Sequence, residues 1–159
     1  MPARDIFHNV VKTAIEKDGW IITHDPLTLE FGLGLLYVDL GAERIIAAER
    51  KNERIAIEIK SFLGGSAVSE FHTALGQYLN YRLLMQEQYP EYKLYLAIPL
   101  SSYDSFFQLP FVQTTIQQYQ LDLLGNNELK SLKQLPRNGF KAFNPESLKP
   151  LSRLAFEVF

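Results

Sequence analysis

Between residues 54 and 60 the chain alternates. Ile55, Ile57 and Ile59 hold every second position, with Ala56, Glu58 and Lys60 between them. A period of two belongs to an extended strand, whose side chains point to opposite faces. Gly64-Gly65-Ser66 interrupts the pattern, and Ser66 is a suitable helix cap. From Ala67 to Gln88 the apolar residues Val68, Phe71, Leu75, Tyr78, Leu79 and Leu83 recur as a helical stripe, and Pro90 ends it. Lys93 to Leu100 then alternates as a strand again. A strand that feeds a long helix and returns as a strand predicts an α/β fold, a mixed β-sheet flanked by helices.

The rest of the chain fits this frame. Ile6, Phe7, Val10, Val11, Ala14 and Ile15 predict a first helix over Asp5 to Lys17, stopped by Asp18-Gly19. Trp20-Ile21-Ile22 leads to a turn at Asp25-Pro26. Leu27, Leu29 and Phe31 predict a strand, and Leu35 to Leu40 another apolar segment. Arg44 to Glu49 and Arg54 to Lys60 read as a hairpin turning near Asn52, which sets residue 44 opposite Lys60. Ser101-Ser102 opens a short helix through Phe107, and Val112, Ile116 and Tyr119 share one face of a helix after Pro110. Leu121 to Leu124 is read as the last strand, giving the order α-β-β-β-α-β-α-β. Asn126 to Pro150 holds three prolines and no sustained periodicity. The expected division is a domain over 1–124 and an atypical, poorly ordered tail over 125–159.

Composition narrows the function classes. The 159 residues suit one domain with a real core, and a net charge of -2 excludes a chain that binds nucleic acid through overall basicity. Any DNA contact must use a local patch, for which Arg44, Arg50, Lys51 and Arg54 are the candidates. Cysteine is absent, which removes disulfides, thiol catalysis and Cys-based zinc sites. The start, Met1-Pro2-Ala3-Arg4-Asp5, has no signal-peptide core, and no apolar run is long enough to span a bilayer. A cytoplasmic protein is expected. His8, His24 and His72 lack metal-ligand spacing, Glu16, Glu43 and Glu49 read as surface charges, and Tyr103, Phe106 and Phe107 read as core.

The chemistry concentrates around Glu58. On the strand, Glu58 and Lys60 share a face. Asp39 falls just beyond the end of the hairpin, within reach of Glu58. Gln77 and Tyr81, one turn apart, lie on one face of the long helix, opposite its apolar stripe, and lean over the sheet edge. Asp39 and Glu58, with the Ile59 carbonyl as a third oxygen, make a donor set for a hard cation, Mg²⁺ with Mn²⁺ able to substitute. Such a cluster suits phosphodiester hydrolysis, with Lys60 positioning water or stabilising charge. The plainer reading is that Glu58 and Lys60 occupy the wet face of a half-buried strand. From the residues alone both readings stand.

Several separate motifs, in order, resemble one family. They are Asp5-Ile6-Phe7-His8, Asp18-Gly19-Trp20, Thr23-His24-Asp25-Pro26, Tyr37-Val38-Asp39-Leu40-Gly41-Ala42-Glu43 and Ile59-Lys60-Ser61-Phe62-Leu63-Gly64. Phe71-His72, Ala74-Leu75-Gly76-Gln77, Asn80-Tyr81-Arg82 and Tyr95-Leu96-Ala97-Ile98-Pro99 continue the series. The chain resembles XisH, the fdxN element excision controlling factor family found mainly in cyanobacteria, over roughly Arg4 to Leu124. The resemblance implies a restriction-endonuclease-like core of the PD-(D/E)xK superfamily and a role in programmed DNA excision. It implies Asp39, Glu58 and Lys60 as the nuclease-type motif, with Gln77 and Tyr81 as its helical extension. As partners it implies DNA, an XisI-like companion protein and a site-specific recombinase, with no membrane and with homo- or hetero-oligomers. Two functions follow: a Mg²⁺-dependent DNA endonuclease acting in excision, or a non-catalytic regulator that uses the nuclease fold for binding. Two departures stand out. Val38 replaces the proline of the superfamily motif, and the segment after Leu124 differs from the short closing strand usual in the family, so the last sheet strand is expected to be missing or replaced.

Overall fold

Helices pack on both faces of the strand that carries Glu58. In the computed structural model, which describes residues 6–46, 51–126 and 132–135, this strand is the fifth of eight. The order is α1 His8–Lys17, β1 Ile21–His24, β2 Leu27–Glu30, β3 Leu35–Val38, β4 Leu40–Ile46 and β5 Lys51–Ile59. Then come α2 Ala67–Gln88, β6 Tyr92–Pro99, α3 Leu100–Tyr103, a 3₁₀ turn Phe106–Gln108, α4 Pro110–Tyr119, β7 Leu123–Asn126 and β8 Leu132–Leu135. Six strands form one mixed sheet in the order β1-β4-β5-β6-β7-β8, and β2 and β3 form a separate two-stranded ribbon. The predicted mixed sheet with flanking helices is present.

The parallel run β5-β6-β7 forms the middle of the sheet. The crossovers through α2 and α4 both lie on one face, where Phe71, Ala74, Tyr78, Val112 and Ile116 pack on Ala56, Leu94, Leu96 and Ile98. The other face is covered by α1, whose Val11, Ala14 and Ile15 pack on Ile55, Ile57 and Ile59. β6 is buried continuously from Leu94 to Pro99, as a central parallel strand must be. Tyr78 fixes the crossover: its hydroxyl donates to the Leu94 carbonyl (3.0 Å) and accepts from the Asp122 backbone N–H (3.1 Å).

Several expectations are corrected. β4 pairs with β5 from Leu40↔Ile57 to Ile46↔Lys51, so Arg44 faces Glu53 rather than Lys60. The chain reverses earlier than Asn52 because Asn52 is itself paired, with Ile45. Ile21–His24, read as a lead-in to a turn, pairs with β4 as an edge strand. The segment 35–40 divides at Asp39, where the chain leaves the small ribbon and enters the large sheet.

α2 has the predicted limits and cap, with the Ser66 hydroxyl accepting from Ser69 N–H, but its buried stripe is Phe71, Ala74, Tyr78, Tyr81 and Met85. Val68 and Leu83 face outward, 43 % and 65 % exposed. Two apolar stripes exist on this helix, and the sequence pattern mixes them. Finally, β7 runs past Leu124 to Asn126 and is followed by an antiparallel strand, β8, so a closing strand is present where it was expected to be missing or replaced. The rest of the 125–159 segment lies outside the described residues.

Candidate functional site

The site begins with a backbone requirement. β4 pairing starts at Leu40↔Ile57, so β4 has no carbonyl level with the N–H of Ile59. On the other side of β5, Lys60 N–H reaches the Ala97 carbonyl of β6 (3.0 Å). A buried N–H needs a partner. Asp39 supplies it, its Oδ2 accepting from Ile59 N–H at 2.8 Å. The switch residue between two sheets is thereby locked to the end of β5, beside Glu58.

Glu58 points away from Ile57 and Ile59, as the alternation predicts, but its face is not wet. α2 covers it, and Glu58 is 4 % exposed. Its carboxyl pKa is pushed well above the usual range, first by burial and then by the negative charge of Asp39. Lys60 and a hydrogen bond from the Asp39 backbone oppose this only in part. Lys60 Nζ lies 3.6 Å from Glu58 Oε1 and remains 24 % exposed. The second oxygen, Glu58 Oε2, is buried without a hydrogen-bond partner.

Tyr81 belongs to the core stripe and not to the opposite face, so its predicted lean over the sheet edge is corrected. The rotation brings it closer to the acids. Burial raises its phenol pKa first, and the charges of Glu58 and Asp39 raise it further, so the hydroxyl stays protonated. Gln77, one turn earlier, is half-buried, with its Oε1 buried and unpartnered. The structure thus gathers Asp39, Glu58, Lys60 and Tyr81, with Gln77 one turn away on the same helix.

Among the described residues, no three His, Asp or Glu side chains form a metal-type cluster. The fit to a hard cation therefore rests on two carboxylates and a backbone oxygen, with water or substrate completing the shell, as is common for Mg²⁺. The unpartnered Glu58 oxygen beside a second carboxylate is consistent with that donor set.

The proposed phosphate patch is not available as predicted. Arg44 pairs with Glu53 (2.9 Å) and stacks over Trp20, and Arg54 lies 3.6 Å from Glu43. Arg50 and the side chain of Lys51 lie outside the description. Of the scattered histidines, His8 is buried against Asp25 (2.8 Å), which also holds Lys12 (2.8 Å). This is a structural clamp between α1 and the turn at Asp25-Pro26.

One feature escaped the sequence. Phe62, two residues after Lys60, has φ 56. An aromatic residue rarely adopts this left-handed backbone. Its ring packs on Phe107 (5.2 Å) and Phe106 (6.2 Å), which holds the strained turn beside Lys60. No glycine or turn signal at position 62 marks it.

The comparisons with known proteins identify the family. The model of the XisH protein family matches residues 1–132. A crystal structure of an XisH family protein from Nostoc punctiforme PCC 73102 superposes with a TM-score of 0.73 at 46% identity, covering 83% of this chain and 100% of that one. A crystal structure of an fdxN element excision controlling factor protein from Anabaena variabilis gives a TM-score of 0.73 at 45% identity, covering 84% and 100%. Among curated proteins, none matches. With a family match over most of its length and two such relatives, the chain belongs to the XisH family.

Proposed function

We propose that this protein acts in the control of DNA element excision, and that Asp39, Glu58 and Lys60 form a metal-dependent phosphodiesterase site. The name of the Anabaena variabilis relative supports the first part. The observation that carries the second is the meeting of two carboxylates and a lysine at the end of β5: Asp39 locked to Ile59 N–H, Glu58 buried beside it, and Lys60 at 3.6 Å from Glu58. An acid just before one strand, with Glu-x-Lys at the end of its antiparallel partner, resembles the arrangement of PD-(D/E)xK nucleases.

Each residue has a defined task. Asp39, Glu58 and the Ile59 carbonyl would hold Mg²⁺, or Mn²⁺ in its place. When bound, the ion would stabilise charge on the phosphate and acidify a water. Lys60 lies at the mouth of the site, where it would orient a phosphate oxygen and stabilise developing negative charge. Tyr81, kept protonated, serves as a hydrogen-bond donor and not as a base. Gln77 can offer its amide to Lys60 or the phosphate.

Calorimetric titration with Mg²⁺ and Mn²⁺, wild type against Glu58→Ala, tests the cation. Cleavage assays on duplex and single-stranded DNA test the chemistry. Binding and cleavage should both vanish in Glu58→Ala and Asp39→Ala with the fold retained. Normal cutting by both variants would overturn the assignment.

A second reading is favoured by the charge pairing. Lys12, Arg44, Arg54, Lys60 and Lys93 each face an acid, and Arg82 is held by the carbonyls of Tyr119 and Gln120. Few described cations are left for a phosphate backbone. In this reading the protein regulates excision by binding an XisI-like companion or a recombinase, without cutting. Binding that survives Glu58→Ala, with no cleavage by the wild type, would support it.

A further inference from the structure

β2 and β3 form a ribbon of two strands, so each has one edge that the other does not cover. The hydrogen bond from Phe31 N–H to the Gly34 carbonyl (3.2 Å) fixes the alternation along the ribbon. Phe31/Gly34, Leu29/Leu36 and Leu27/Val38 are then the pairs that bond to each other. At the pairs between them, Glu30/Leu35 and Thr28/Tyr37, the backbone groups point outward. Glu30 bears this out: its N–H and carbonyl turn away from β3 and are held by the Gln88 amide at 2.9 and 2.8 Å. On the opposite edge the N–H and carbonyl of Leu35 and Tyr37 point outward in the same way. Among the described residues nothing meets them there.

This edge lacks the usual protection. Strand edges open to solvent carry charges, proline or a bulge, which prevent pairing with another chain. β1, the outer strand of the large sheet, has a bulge between Ile22 and His24. β3 keeps an unbroken register, and no charged residue lies between Glu30 and Asp39. The apolar run continues over the turn. Gly32 has the positive φ (87) that a two-residue hairpin turn requires. Leu33 beside it is 96 % exposed, at a position where polar residues are usual. Phe31 and Leu35 flank it at 46 % and 47 % exposed.

An apolar edge with free backbone groups is complementary to an extended strand. It is not complementary to phosphate, since the chain has no lysine or arginine from Asp18 to Glu43. A second copy of β3 fits in one register. Antiparallel and centred on Leu36, it sets Leu35 of each copy opposite Tyr37 of the other. Both are outward-pointing positions, so every free N–H meets a free carbonyl. The Leu35 and Tyr37 side chains leave on one face, where they form aliphatic–aromatic cross-strand pairs. In the same register residue 33 of one copy falls level with residue 39 of the other. The exposed turn then lies along the partner instead of projecting into water.

We propose that β3 pairs edge to edge with β3 of a second copy, joining the two ribbons into one sheet across a two-fold axis. The contact rests on the ribbon alone and is independent of the chemistry proposed at Glu58.

The test uses the full chain. Light scattering after size exclusion, across a dilution series, gives the mass. Hydrogen exchange read by NMR follows the Leu35 and Tyr37 amides one by one. The wild type should be a dimer with both amides protected, and their protection should fall as dilution separates the copies. Leu35→Pro removes an outward N–H without removing a bond to β2, and should lower the mass twofold while circular dichroism shows a folded chain. Leu33→Ser, at a side chain 96 % exposed, should weaken association roughly tenfold by taking an apolar group out of the contact. A monomeric wild type would overturn the proposal and leave the edge to a strand of another protein. So would a dimer whose Leu35 and Tyr37 amides exchange freely, or one that Leu35→Pro leaves intact. Should Leu35→Pro fail to fold, the exchange of the two wild-type amides decides alone.

Discussion

Removing the Asp39 carboxylate in two ways separates its structural task from its charge. In Asp39→Ala the N–H of Ile59, a residue 2 % exposed, loses the acceptor it now has at 2.8 Å. An unpartnered buried donor costs about 1–3 kcal/mol. One term opposes this: the negative charge of Asp39 disfavours the ionised form of Glu58, and alanine relieves that. The net expectation is a loss of about 1–2 kcal/mol, which for a domain of this size lowers Tm by roughly 2–4 °C per kcal/mol. Asp39→Asn keeps an oxygen to accept from Ile59 and removes the charge, so its stability should match or exceed the wild type. Urea unfolding of the three proteins, compared at equal m-value, measures both effects. Equal destabilisation by Asn and Ala would refute the role given to the Ile59 hydrogen bond. No effect of Ala would refute it too. Cation binding should fall in both variants, so Asp39→Asn is the variant in which the fold is kept and the site is lost.

The remaining predictions concern other elements. The carboxyl of Asp18 is raised from 3.8 to about 6, by burial and against the pull of Arg44. The folded state therefore holds this proton more tightly than the unfolded one, and stability present below pH 3.8 is lost as pH rises through about 6. Asp18→Asn should flatten the slope of stability against pH in that window, seen in melts from pH 4 upward. Gln88 holds the Glu30 backbone by both amide atoms, at 2.9 and 2.8 Å, so Gln88→Ala should raise amide exchange in β2 and β3 while leaving β6 protected. Tyr78→Phe leaves the Leu94 carbonyl and the Asp122 N–H without their bonds to the hydroxyl, and should cost about 1–3 kcal/mol by denaturant unfolding. A near-zero loss would mean that the hydroxyl is not what joins α2 to β6 and β7.

Much of the fold was legible because it rests on periods. The alternation around Ile57 and the spacing along α2 come from one residue type recurring on one element, and both elements appear where they were read. The failures come from pairing and from layers. The register of β4 on β5 is set by which residues meet across the ladder, and residues 44 to 60 admit more than one turn. β1 is four residues of an edge, too short for its alternation to stand out. The clustering of Asp39, Glu58, Lys60 and Tyr81 was legible, but not the environment of these residues. An alternating strand looks half-wet in sequence, whereas β5 is covered on both faces because α1 and α2 pack on opposite sides of it. Phe62 gave no signal at all, since its backbone is held by rings far along the chain.

The two misread faces have one cause, and it bears on function. α2 carries apolar residues around more of its circumference than one sheet can cover, and the stripe that includes Tyr81 is the one that docks. Burial of Tyr81 and Glu58 follows from that rotation. A carboxylate placed between two packed layers, beside another carboxylate, with one oxygen unpartnered, opposes folding. Glutamine or an aliphatic residue would serve the core better at position 58. A local conflict of this kind is where function is expected to reside, because the same arrangement that disfavours an ionised Glu58 in the bare chain favours a cation that neutralises both acids. Stability should therefore rise with Mg²⁺ in the wild type and not in Glu58→Gln, which should instead be the more stable protein without the ion. Thermal melts of both proteins with and without Mg²⁺ decide this. A wild type indifferent to the ion and no more fragile than Glu58→Gln would remove the argument for a metal at this site.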